Sequence, residues 1–199
     1  MQRALDAFQE SIARVEHLAG LYRAIASLTT PAVDSSDLLR AQIVLAVSAL
    51  DFYVHEVTLR GMVEVYTGNR PPTPAFEKYR ISVGAMMAGH PAGGTAWLEA
   101  EIRDRHSFLS FQQPDKIADA IRLFTDVKLW QAVGAALSLD EISVKSRLRL
   151  IVDRRNKIAH EADLDPSYPG ARWPISEADA AQSRQFLAGL VAAIHAVVA

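Results

Sequence analysis

The chain has 199 residues, of which 50% are hydrophobic, with 21 Lys and Arg set against 23 Asp and Glu and no cysteine. A net charge of -2 and a pI near 6.3 exclude a global positive field of the kind that holds a protein on nucleic acid regardless of sequence, so any such contact must be local. The missing cysteine excludes disulfides, thiolate catalysis and Cys-built zinc sites, and the length fits one domain over residues 1–199.

The elements read as helices. From Ala4 to Leu28, Leu5, Phe8, Ile12, Val15, Ala19 and Ile25 recur at spacings of three and four, which predicts one long amphipathic helix ended by Thr29, Thr30 and Pro31. This N-terminal stretch has scattered charges and no unbroken apolar core, so it is read as neither a secretory signal nor an anchor. A soluble, cytoplasmic protein without a membrane partner is expected. Asp34, Ser35 and Ser36 precede a helix over Leu38 to Tyr66 with two apolar stripes, the pattern of a central helix. The Gly68 to Pro74 stretch must turn. A weaker helix follows over Phe76 to Met87, then a break at Gly89 to Gly94 and a helix over Trp97 to Phe111. Pro114 opens the next segment, and a short piece covers Trp130 to Leu137. A third long helix is expected from Leu139 to Pro166, capped by Asp140, and a loop spans Asp165 to Pro174. Ser176 with Asp179 then opens a closing helix. The fold class is all-α: a bundle of four long helices with a helical insertion at about 71–137, between the second long helix and the third.

Chemistry concentrates in DRRNKIAHE, Asp153 to Glu161. Arginine clamps phosphate, asparagine orients an oxygen, and histidine titrates near neutrality without perturbation. Leu148, Ile151, Val152, Ile158, Ala159 and Ala162 form an apolar series whose vacant place is taken by Arg155. An arginine there must be paired, snorkelling or held at a crevice or interface, because an unpaired buried charge costs several kcal/mol. Arg154 and Lys157 fit a solvated face. Asn156 and His160, four apart, share a side of the helix, whereas Arg155 and His160 are about 140° and 7.5 Å apart on ideal geometry. That separation favours a cleft completed by a second copy of the chain. Between Lys145 and Lys157 six Lys or Arg face one acid, Asp153, so Arg147, Arg149, Arg154 and Lys157 are candidate contacts to a phosphate backbone, or else a solubilising helix face.

Arg155, Asn156 and His160 match the R-x4-H motif of the HEPN superfamily, with the polar Asn often found after the arginine. The long second helix containing Ser48 to Glu56, and the late motif helix, resemble its RiboL-PSP-HEPN branch. The resemblance implies a helical bundle that dimerises. It also implies a metal-independent endoribonuclease of toxin or antiphage-defence type acting on single-stranded RNA, with an antitoxin or other regulatory protein as a further partner. In that reading His160 is the general acid or base, Arg155 stabilises the phosphorane and Asn156 orients it. Some toxin members carry a tyrosine two residues after the histidine, where this chain has Ala162. The alternative is a non-catalytic dimerisation or nucleotide-binding module with a degenerate site. Asp51 and His55, four apart in the second helix, either support the catalytic groups or form a structural hydrogen bond. Glu56 is expected to be solvated or paired with Arg60. No cofactor is implied, and neither His17, His90, His106 and His195 nor the acidic residues show metal-ligand spacing.

Overall fold

The structure, a computed structural model, describes residues 1–30 and 32–199. The described residues form helices and no strand, with one isolated bridge between Leu164 and Arg172. The elements are α1 Gln2–Leu28, α2 Ser36–Tyr66, α3 Pro74–Glu77, α4 Val83–Gly89, a 3-10 turn at His90–Ala92, α5 Ala96–His106, α6 Pro114–Ile121, α7 Leu129–Leu137, α8 Glu141–His160 and α9 Glu177–Val198. The all-α class, four long helices and an inserted helical region are as expected. The Pro31 part of the predicted α1 stop lies outside the described residues.

The long helices alternate in direction. Arg23 near the end of α1 pairs with Glu177 at the start of α9, and Arg184 of α9 reaches both Gln42 and Glu16. Tyr53 of α2 meets His195 near the end of α9. Thus α2 and α9 run together against α1, while α8 ends beside the start of α2 through Arg40 and Asp163. Phe8, Val47, Leu50, Tyr53, Val57, Leu148, Val152, Leu187 and Leu190 fill the space between them. α2 is long and apolar enough to cross a membrane on length and composition, yet 56% of its most apolar window is buried inside the bundle, as in a core helix.

The inserted region packs on the far half of α2. Leu59 and Met62 meet Leu98 and Ile102 of α5 in a second apolar cluster. Gly61 lets Phe124 lie directly on the α2 backbone, since a Cβ there would sit 2.2 Å from the ring. Glu56 pairs with Arg103 and Arg60 with Glu99, so the expected Glu56–Arg60 pair is corrected: α5 offers both residues partners across the interface.

Three predicted boundaries are also corrected. The Phe76 to Met87 helix is two pieces, because Thr73 and Ser82 each cap a new start by accepting a backbone N–H. α5 stops at His106 rather than Phe111, where Asp51 draws the chain away by accepting from the Phe111 N–H at 2.6 Å and from Gln112 Nε2 at 3.1 Å. α8 ends at His160, not Pro166, because Ala162 and Asp163 take left-handed φ values of 51° and 58°. The Asp140 cap and the Ser176–Asp179 capping box form as expected.

Candidate functional site

α8 starts where Asp140 accepts from the Ser143 N–H at 2.8 Å, and its apolar side is Val144, Leu148, Ile151 and Val152. Arg155 continues that side, close to its angular centre on ideal helix geometry. The side chain is half-buried, and its Nε is enclosed with no hydrogen-bond partner among the described residues. Its Nη1 turns sideways and donates to Asn156 Oδ1 at 3.0 Å. The guanidinium therefore leans from the seam toward the side of the helix that carries Asn156 and His160. A buried N–H left unmatched costs about 1–3 kcal/mol.

Asn156 is half-buried and His160 exposed. His160 is the last helical residue. Of the four candidate backbone contacts, only Arg149 shares this side, about 20° from both Asn156 and His160 on ideal geometry. Its one ion pair, to Asp115 at 3.7 Å, is loose and exposed.

The adjoining flank of α8 differs, and here the solvated-face expectation for Arg154 and Lys157 is corrected. Both are half-buried. Arg154 Nη2 donates to Asp163 Oδ2 at 2.9 Å and to the carbonyls of Trp173 and Pro174 at 3.2 and 3.1 Å. Arg40 of α2 donates to the same Asp163 oxygen at 2.6 Å and to the Trp173 carbonyl at 2.9 Å. Desolvation holds the Arg154 pKa below the ordinary arginine value; Asp163 opposes that shift and Arg40 adds to it. The Lys157 ammonium lies over the Trp173 ring at 4.7 Å, so the loop after α8 folds back across a helix side that sequence periodicity leaves open. Arg147 sits over Phe186 at 4.7 Å, and with Arg154, Leu150, Ile175 and Gln182 it lines a cleft of about 460 Å³ between α8 and α9.

A groove of about 420 Å³ lies at the same end of α8, where Ala41, Val44 and Leu45 of α2 with Ile158 and Ala162 give it an apolar wall and Arg40, Asp163 and Arg172 a charged one. Leu45 and Phe52, seven apart on α2, are 47% and 50% exposed and extend that apolar wall.

Asp51 and His55 share no hydrogen bond, ion pair or ring contact with α8 among the described residues. Asp51 holds Phe111 and Gln112, with His55 Nε2 at 3.8 Å, and the His55 ring lies 4.5 Å from that of Phe111 and 6.3 Å from that of His106. Burial, with His55 nearby, pulls His106 down to about 4, and its Nε2 meets the Tyr79 hydroxyl at 3.3 Å. The pair anchors the inserted region. No group of three or more His, Asp or Glu able to hold a metal occurs among the described residues.

Sequence reasoning missed Arg40, Asp163 and Trp173. Two acids in ADLDP just past the helix were a usable signal for a buried carboxylate; nothing local marks Arg40, which is 123 residues away from its partner. Comparison with known proteins finds a match to the family model described as RiboL-PSP-HEPN over residues 9–199. Neither a curated protein nor a solved structure matches the chain.

Proposed function

Because the chain belongs to the RiboL-PSP-HEPN family, we propose that it is an endoribonuclease that cleaves single-stranded RNA without a metal, as a homodimer, in a toxin or antiphage-defence role held in check by a partner protein. The observation that carries this reading is the Arg155 guanidinium, half-buried with an unmatched Nε and leaned by Asn156 toward His160. A cation kept partly desolvated and incompletely bonded is suited to charge that develops on a phosphorane.

In the proposed reaction a ribose 2'-hydroxyl attacks its own phosphate in line. The new O2'–P bond forms as the P–O5' bond breaks, leaving a cyclic phosphate and a 5'-hydroxyl. One proton leaves the 2'-hydroxyl and another must reach the 5'-oxygen, so a base and an acid act together. Each chain has one histidine on this side of α8. Two copies supply the pair, His160 of one protomer as base and the partner's His160 as acid, with Arg155 on the phosphoryl oxygens and Arg149 on the flanking backbone. The exposed apolar side chains of Leu45 and Phe52 on α2 are the surface on which the copies would meet.

The test is incubation of the purified protein with single-stranded RNA in EDTA, beside His160→Ala and Arg155→Ala. The expected result is cleavage by the parent and a loss of at least about 100-fold in either variant. A parent that binds RNA or a nucleotide but never cleaves supports the other reading, a binding module with a degenerate site. Leu45→Asp is expected to yield a monomer that no longer cleaves, measured by light scattering and the same assay.

A further inference from the structure

The carboxylate of Asp163 is 1% exposed, and one of its oxygens, Oδ2, takes both Arg40 and Arg154. It lies three residues after His160, at the point where the chain leaves α8. Ala162 and Asp163 are consecutive non-glycine residues with positive φ. Left-handed backbone at such residues costs on the order of 1–2 kcal/mol each, and it persists where surrounding contacts over-determine it. Those contacts are present. Asp163 N–H closes back on the Lys157 carbonyl at 3.0 Å, Trp173 N–H donates to the Asp163 carbonyl at 2.9 Å, and Arg40 also holds Ser36 Oγ at 2.6 Å. The end of α8 is thus tied to the start of α2 by a charged, buried latch.

We infer that Asp163 is a positioning residue: through Arg40 and Arg154 it terminates α8 at His160 and sets where the His160 imidazole stands relative to Arg155. The role rests on the RNA-cleavage reading for its functional consequence but not for its geometry. Without the latch, the left-handed turn keeps only its backbone bonds to Lys157 and Trp173, and the end of α8 would shift or fray at His160. Misplacement of about 1 Å at a reacting group can cost on the order of 100-fold. Arg172 provides an internal control, because it sits in the same loop and pairs with the exposed Asp37 at 2.8 Å while bonding neither Asp163 nor Arg154; its one link to the latch is that Asp37 also lies 3.6 Å from Arg40.

The experiment compares Asp163→Asn and Arg40→Lys with Arg172→Ala in the full chain. Cleavage of single-stranded RNA in EDTA and the NMR titration of the His160 Cε1–H resonance are read on each. Asp163→Asn is expected to lower kcat about 10- to 100-fold with KM within about twofold, and to move the His160 resonance and its titration midpoint. Arg172→Ala should leave all three near the parent. If Asp163→Asn does not fold, Arg40→Lys, which keeps the charge and loses the guanidinium geometry, carries the same expectation. A His160 resonance unmoved in the folded latch variants overturns the inference, as does an equal shift in Arg172→Ala. If the parent cleaves nothing while the resonance still moves, the latch stands and the cleavage reading fails.

Discussion

Two adjoining flanks of α8 put the same kinds of side chain to different uses. On one, Arg154 and Lys157 are spent on the fold, the first on a buried carboxylate and two carbonyls and the second on an indole face. On the other, His160 is exposed and Asn156 half-buried, with Arg155 bent toward them and one of its donors unmatched. A basic stretch is therefore not one electrostatic patch. The loop that folds back after His160 decides which cations are structural.

Stability and activity should separate along that divide. The largest stability effect is expected from Arg40→Ala on the structural side, which leaves Asp163 buried with Arg154 as its remaining partner. Urea unfolding should show a loss of about 3 kcal/mol, and an unchanged midpoint would show that the latch adds little. His160→Ala, by contrast, should leave the midpoint within about 0.5 kcal/mol.

Acid comes next. The folded-state pKa of His106 is depressed to about 4 from an ordinary 6.5, so between those values the unfolded chain binds the extra proton. Stability is then present above about pH 6.5 and falls as the pH drops through that window, by on the order of 2–3 kcal/mol. Melting curves of the parent and His106→Phe across pH 4 to 7 check this, and a parent slope unchanged in the variant would remove His106 as its source. The loss belongs to the inserted region and not to α8.

Smaller effects sharpen the contrast on α8 itself. Arg147→Ala removes the cation over Phe186 and should cost about 1 kcal/mol. Lys157→Ala should cost about 0.5–1 kcal/mol, seen as a melting point lower by a few degrees. A Lys157→Ala loss of cleavage as large as that of His160→Ala, at unchanged stability, would erase the distinction between the two sides.

How far the sequence could be read follows from the range of each interaction. The helices, the Asp140 cap, the Ser176–Asp179 box and the seam position of Arg155 are set by spacings of three and four, which are local. The end of α8 was misplaced because apolar periodicity runs on through Ala162, while a carboxylate bonded to a residue 123 positions away stops the helix at His160. Lys157 was assigned to solvent because its angle on the helix points outward; Trp173, on the returning loop, covers it. The Asp51–His55 pair was legible as a spacing, but its partners Phe111 and Gln112 lie 60 and 61 residues on, so its alternatives could not be separated.

The central claim is that the Asn156–His160 side of α8, with Arg155, cleaves RNA through the ribose 2'-hydroxyl. The most direct measurement is end-group analysis of a short single-stranded RNA treated in EDTA with the parent and with His160→Ala, beside the same oligonucleotide carrying a single 2'-deoxy sugar at the cleaved position. A 2',3'-cyclic phosphate and a 5'-hydroxyl from the parent alone, with the deoxy substrate intact at that position, is the predicted result. Cleavage of the deoxy position, or equal cleavage by His160→Ala, would contradict it.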